Sequence, residues 1–172
     1  MDPILVARRL PQVAARAMRG AIVDALARNR LTPRTLIDDA LLRFERSIGS
    51  SRSDIRPALL FGERERIVRE LRAFIDSRLA ARLAALRRGE VVALGNRAAP
   101  FDLLIRNRRG RAYAVVLRRL PRDDASLEVL RRIARVAERY EKTPLCGVLV
   151  YDFSSGRARL IGAISAIGRA AA

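Results

Sequence analysis

The chain has 172 residues, half of them hydrophobic, and its 35 Lys and Arg against 18 Asp and Glu give a formal net charge of +17. It has one cysteine and no histidine, which excludes a His-based triad and nearly all structural zinc sites. No apolar run approaches the roughly 20 residues of a membrane span. The composition predicts a cytoplasmic protein with a substantial apolar core, no membrane partner and a polyanionic partner, most often nucleic acid.

The first part of the chain, residues 3–48, has the apolar spacing of amphipathic helices. Pro11 is expected to kink or restart the first of them, and Thr32 followed by Pro33 marks the start of the next. These helices could pack on the rest of the protein, bind a partner helix or pair across a homodimer, and the sequence does not choose among these roles. The Gly-Ser-Ser-Arg-Ser run at 49–53 predicts an N-terminal helical extension at 1–50 and a core at 51–172.

The core begins with a long helix predicted over residues 63–88, because apolar residues keep the helical period until Gly89. The period then changes, and short apolar segments between Gly, Asn and Pro residues predict strands. The remaining predicted elements are strands at 91–94, 101–106 and 112–118, a helix at 124–142, a buried strand at 145–153 and an edge strand at 157–164.

This α-β-β-β-α-β-β order predicts an α/β fold in which helices flank a mixed sheet. The helix between the third and fourth strands is a crossover, so those two strands should be parallel.

The predicted hairpin of the second and third strands carries Asp102 near its beginning and Arg118 near its end. A four-residue turn at 107–110 would pair residue 106 with residue 111 and put Asp102 and Arg118 on opposite faces. A one-residue bulge at Gly110 would return them to a shared face. Asp102 could be a metal-ligand remnant or a carboxylate that caps a strand start. Arg118 could contact phosphate or Asp102, or lie solvated at a strand end.

The element order, together with Pro100-Phe101-Asp102 and the segment Tyr113–Pro121, resembles the PD-(D/E)XK nuclease superfamily, which includes restriction endonucleases. The resemblance implies a restriction-endonuclease-like core. Active members place a Glu and a Lys on the third strand, where this chain has Val116 and Arg118. Valine cannot bind a metal, and arginine, which stays protonated in proteins, cannot act as a base. Asp102 alone is a poor Mg²⁺ site.

The resemblance therefore implies a catalytically degenerate member that keeps Asp102 and Arg118 as remnants and uses no cofactor. Some members of the superfamily move the missing carboxylate to the crossover helix, where Glu128 is the candidate. With that migration the protein would instead be a Mg²⁺-dependent nuclease with Asp102 in its metal site.

Arginines dominate the segment between Asp102 and Asp123, which contains seven of them and no acidic residue. A solvated loop would explain such a run, but a polyanion would relieve the mutual repulsion of the charges and release counterions. Arginines on the crossover helix could extend the same track. The residues predicted to contact nucleic acid are Arg106, Arg108, Arg109, Arg111, Arg118, Arg119, Arg122, Arg131 and Arg135.

These observations predict a nucleic-acid-binding protein, with DNA as the favoured ligand, that contacts the phosphate backbone without reading sequence. Two alternatives stay open. One is the Mg²⁺-dependent nuclease, and the other is a structural or assembly protein whose basic surface binds an acidic protein partner.

Overall fold

The computed structural model describes residues 3–28, 31–49, 55–86, 90–94, 101–107, 109–118, 135–136 and 145–162. The chain divides into two compact units, residues 1–84 and 85–172. The described part of the first unit is helical, and that of the second contains a five-stranded mixed sheet, so the protein belongs to the α/β class. The boundary after residue 50 stays a prediction, and the structure groups the helix that follows it with the N-terminal helices.

Four helices are described in the first unit. They are α1 (Pro3–Ala27), α2 (Pro33–Ile48), α3 (Pro57–Ile75) and α4 (Arg78–Ala84). Helix α1 continues through Pro11, so of the two predicted effects, a kink or a restart, the restart is wrong and the kink stays a prediction. An interior proline removes one intrahelical hydrogen bond and crowds the carbonyl of the preceding turn, but the buried residues Leu10, Ala14 and Met18 hold the turns on both sides of it to one apolar stripe.

The single helix predicted over residues 63–88 is wrong at both ends. Helix α3 begins at Pro57 and ends at Ile75, and α4 begins three residues later. The break is stabilised by Ser77, whose Oγ accepts a hydrogen bond from the backbone N–H of Ala80 at 3.1 Å and so caps α4. Leu79 and Leu83 are buried on α4, so the apolar period continues across the break and hides it in the sequence.

Helices α1 and α2 are joined by apolar packing and by one arginine. Met18 and Phe44 are fully buried, and Arg43 donates from Nε to Asp39 Oδ2 at 2.9 Å and from Nη2 to Asp24 on α1. Burial alone would lower the pKa of Arg43, but the hydrogen bonds and charges of Asp39 and Asp24 outweigh it and the pKa is raised. The guanidinium therefore stays charged and links the two helices.

The second unit contains the sheet, whose strands lie close to their predicted positions. They are β1 (Val91–Leu94), β2 (Leu103–Arg106), β3 (Ala112–Arg118), β4 (Leu145–Asp152) and β5 (Arg157–Gly162), in the order β1-β2-β3-β4-β5. β3 and β4 are parallel and the other neighbours antiparallel. The predicted parallel pair is confirmed, and β5 is an edge strand of the described sheet. The predicted crossover helix 124–142 lies outside the described residues, except for 135 and 136, which are helical.

One face of the sheet, which we call the cluster face, carries a continuous apolar cluster. It contains Leu104, Ala114, Val116, Val148 and Val150, together with Phe101, and Val136 packs against it. The opposite face is also apolar, because Leu103, Val115, Leu117 and Tyr151 are fully buried. Burial on both faces explains why β3 and β4 read as nearly continuous hydrophobic runs.

None of the helices in the described part of the chain combines the length and the apolar character needed to cross a membrane.

Candidate functional site

The turn between β2 and β3 contains a glycine bulge. The N–H of Gly110 donates to the carbonyl of Asn107 at 2.9 Å, and the N–H of Asn107 donates to the carbonyl of Arg111 at 2.9 Å. Gly110 has φ +73°, a left-handed conformation that glycine adopts without steric cost. Arg106 consequently pairs with Ala112. The four-residue turn that pairs residues 106 and 111 is wrong, and the bulge at Gly110 is confirmed.

The bulge sets which residues face each other. Leu103 pairs with Val115, and the N–H of Asp102, one residue before β2, also donates to the carbonyl of Val115, so the regular ladder ends at Leu103. Residues 116 and 118 lie on the same face of β3 because side chains alternate along a strand. The register therefore does not assign Asp102 to either face of the sheet, and the shared face of Asp102 and Arg118 stays a prediction.

Asp102 is 4% exposed and is bound to the backbone of β3. Its Oδ2 accepts a hydrogen bond from the N–H of Leu117 at 2.7 Å, and its own N–H donates to the carbonyl of Val115 at 2.9 Å. The carboxylate, which lies one residue before β2, thus supplies a hydrogen-bond acceptor for the Leu117 amide of β3. This geometry favours the interpretation of Asp102 as a strand-capping carboxylate.

Val116, the position where the resemblance expects a second carboxylate, is 2% exposed and belongs to the apolar cluster. Its neighbours are hydrocarbon side chains such as Val150, with which it pairs in register. Among the residues that the structure describes, no three His, Cys, Asp or Glu side chains come close enough together to hold a metal ion. Glu128 and Pro100 lie outside the described residues.

A row of charged residues crosses three neighbouring strands where β3 and β4 end and β5 begins. Arg118 pairs with Asp152 on β4, and Asp152 pairs with Arg157 on β5. The carboxylate of Asp152 also holds the β4–β5 turn, because its Oδ1 accepts from the Ser154 N–H at 2.9 Å and its Oδ2 from the Ser155 hydroxyl at 2.8 Å. The hydrogen bonds of Asp152 therefore fix the backbone of the turn that joins Asp152 to Arg157.

Arg157 and Arg159, which we call the strand-end pair, were not among the predicted site residues. Both are exposed. Arg159 pairs with Val150 and Arg157 with Asp152, so both lie on the cluster face. The signal in the sequence was the alternation Arg-Ala-Arg-Leu at 157–160, which puts two arginines on one face of a strand.

Arg109 and Arg111, which we call the hairpin-tip pair, are exposed at the opposite end of β3, and Arg106 beside them is exposed as well. Asn107 Oδ1 accepts hydrogen bonds from the N–H groups of Arg109 at 2.9 Å and Arg111 at 3.0 Å. The tip backbone is thus held by a side chain of the turn itself.

The structure therefore does not gather the predicted arginines into one patch. β3 has seven residues, so at about 3.3 Å per residue its two ends lie about 20 Å apart. Arg106, Arg109 and Arg111 are at one end and Arg118 is at the other. Arg135 is exposed next to Val136, which packs on the cluster face. Four predicted contact residues, Arg108, Arg119, Arg122 and Arg131, lie outside the described residues.

Chemically, these two ends offer guanidinium groups that can form paired hydrogen bonds with phosphate or carboxylate oxygens. We compared the chain with protein-family models, curated proteins and solved structures, and none of them matches it.

Proposed function

We propose that the protein binds the phosphate backbone of nucleic acid through exposed arginines of its second unit, and that it does so without cleaving the strand. The observation that carries this proposal is the hairpin tip. There Asn107 Oδ1 bonds to the backbone amides of Arg109 and Arg111 while both side chains extend into solvent.

A fixed tip favours binding because little backbone entropy is lost when the ligand arrives. Arginine suits this position because its planar guanidinium matches phosphate oxygens in pairs and stays charged at any physiological pH. Contacts of this kind go to phosphates rather than to base edges, so the binding should depend steeply on salt and little on sequence.

Two side chains, those of Val116 and Asp102, support the absence of cleavage. Val116 presents hydrocarbon inside the apolar cluster, and Asp102 uses one carboxylate oxygen to bind the Leu117 amide. The strand order and the parallel β3–β4 pair are compatible with a restriction-endonuclease-like core. A degenerate site on such a core, without a bound Mg²⁺, is part of the same proposal.

The binding test uses fluorescence anisotropy of a labelled 20-base-pair DNA between 50 and 200 mM salt. Variant R109Q/R111Q should bind more weakly than the wild type, and its plot of log affinity against log salt should be shallower by about two, since each lost phosphate contact removes roughly 0.9 from the slope. The matched control is R34Q/R46Q, which loses the same charge from exposed positions of α2 and should bind as the wild type does. No binding of the wild type at 50 mM salt would overturn the proposal in favour of an acidic protein partner.

The cleavage test is a plasmid-nicking assay with and without Mg²⁺, on the wild type, D102A and E128A. We expect the plasmid to stay intact in every case. Metal-dependent nicking by the wild type that is lost in either variant would show that the protein is a nuclease with a displaced ligand.

A further inference from the structure

The proposed function is argued from the hairpin-tip pair and leaves the contribution of the strand-end pair on β5 unspecified. Arg157 and Arg159 are two residues apart on β5, which separates their Cα atoms by about 7 Å. This distance is comparable with that between neighbouring phosphates of one nucleic-acid strand. Both side chains are exposed and lie on the cluster face.

The turn before β5 defines where these arginines lie. Asp152 binds the Ser154 amide and the Ser155 hydroxyl, and Gly156 closes the turn with a positive φ of 65° and an N–H that donates to the carbonyl of Asp152 at 2.9 Å. Asp152 is an acid that pairs with Arg157 across the strands and keeps its negative charge while it accepts these turn hydrogen bonds. The β4–β5 turn thus holds the first residue of β5 in register with Asp152.

We propose that Arg157 and Arg159 form a second phosphate-contact site, so that one nucleic-acid duplex touches both ends of the sheet at once. This inference rests on the proposed function, and it adds a minimum length for the nucleic-acid duplex that is bound. The hairpin-tip pair and the strand-end pair lie at opposite ends of β3 and β4, about 20 Å apart along the strands. At 3.4 Å per base pair a duplex must be about six base pairs long to reach from one to the other.

Exposed Arg135 could contact the same duplex, because its neighbour Val136 packs against the apolar cluster of this sheet. Edge strands also carry charged side chains simply to prevent pairing with other chains. That role would give the strand-end pair no effect on nucleic-acid binding, and the experiment below separates the two roles.

The experiment measures binding of two DNA duplexes, of four and twelve base pairs, each closed at one end by a neutral ethylene glycol linker. The proteins are the wild type, R157Q/R159Q, R109Q/R111Q and the control R34Q/R46Q. For the twelve-base-pair duplex, R157Q/R159Q should reduce affinity about tenfold to a hundredfold at 0.1 M salt and make the salt slope shallower by about two. The four-base-pair duplex is too short to bridge the two sites, so the same variant should change its affinity by less than about threefold, because the hairpin tip still binds it.

Two results would overturn the inference. If R157Q/R159Q binds the long duplex as the wild type does while R109Q/R111Q binds it more weakly, the strand-end pair only prevents β5 from pairing with other chains. The proposed function then stands. If R157Q/R159Q weakens both duplexes equally, the two pairs are not bridged by one ligand. Absence of salt-dependent binding by the wild type would instead remove the proposed function, and the inference with it.

Discussion

The carboxylate of Asp102 accepts a hydrogen bond from the backbone N–H of Leu117 at 2.7 Å. The bond runs between residues that are 15 positions apart in the chain, and the Asp102 side chain is almost fully buried. A buried amide without an acceptor costs free energy, and a charged acceptor forms a stronger bond than a neutral one. Asp102 therefore contributes to the stability of the β2–β3 hairpin, whatever else it does.

We expect D102A to lower the free energy of unfolding by about 1–3 kcal/mol, because the Leu117 amide loses this acceptor. D102N keeps an acceptor oxygen in the same place and should cost less. Urea unfolding of the full chain measures both values. A D102A protein as stable as the wild type would contradict the capping role, and the salt slope of DNA binding should be the same in all three proteins.

Gly110 should be hard to replace because of its backbone conformation. Its φ is +73°, and an L-residue held in the left-handed region costs roughly 1–2 kcal/mol, so G110A should be less stable by about that amount. Gly62 provides the matched comparison, since it lies in α3 and a Cβ added there meets nothing within 4 Å. G62A should raise the free energy of unfolding by about 0.5–1 kcal/mol. Equal effects of the two substitutions would argue against the bulge.

A substitution at Val116 tests whether the protein tolerates a second carboxylate at the position where active nucleases of the resembled superfamily carry one. V116E would bury a charge among hydrocarbon side chains, so the free energy of unfolding should fall by several kcal/mol, on the order of the cost of an unpaired buried charge. Val92 on β1 is exposed, and V92E should change stability little. Unfolding of V116E is measured with and without Mg²⁺. Stabilisation of V116E by Mg²⁺ would reveal a metal site completed by Asp102, whereas a V116E protein as stable as the wild type would contradict the hydrocarbon role of this position.

Arg43 links α1 and α2 through Asp24 and Asp39, but its side chain is 33% exposed. Exposed ion pairs contribute little, so R43Q should lower the free energy of unfolding by only about 1 kcal/mol. The effect should shrink in 1 M salt, where the screening length falls to about 3 Å. The control is R46Q, an exposed position on the same helix, which should cost a few tenths of a kcal/mol at most. A loss that is unchanged by salt would mean that Arg43 acts through packing rather than charge.

The positions of the strands could be predicted from the sequence because the relevant signals are local. Apolar runs broken by Gly, Asn and Pro located all five described strands to within two residues over the described part of the chain. The parallel β3–β4 pair followed from the long connection between them, since parallel neighbours need a crossover. The break at Ser77 could not be predicted in this way, because α4 keeps its leucines on the buried side and leaves the helical period undisturbed.

The sequence by itself determined the class of the fold, the strong positive charge and the presence of arginines near one hairpin. Only the tertiary structure decided that Asp102 binds the Leu117 amide, that Val116 is packed in hydrocarbon, and that the arginines divide between two ends of the sheet. The physical reason is register. A single bulge at Gly110 changes which residues of β2 and β3 face each other, and the pairing of β4 with β3 and β5 puts Asp152 between Arg118 and Arg157. Such placements depend on how strands pair in space, which a local pattern of side chains does not specify.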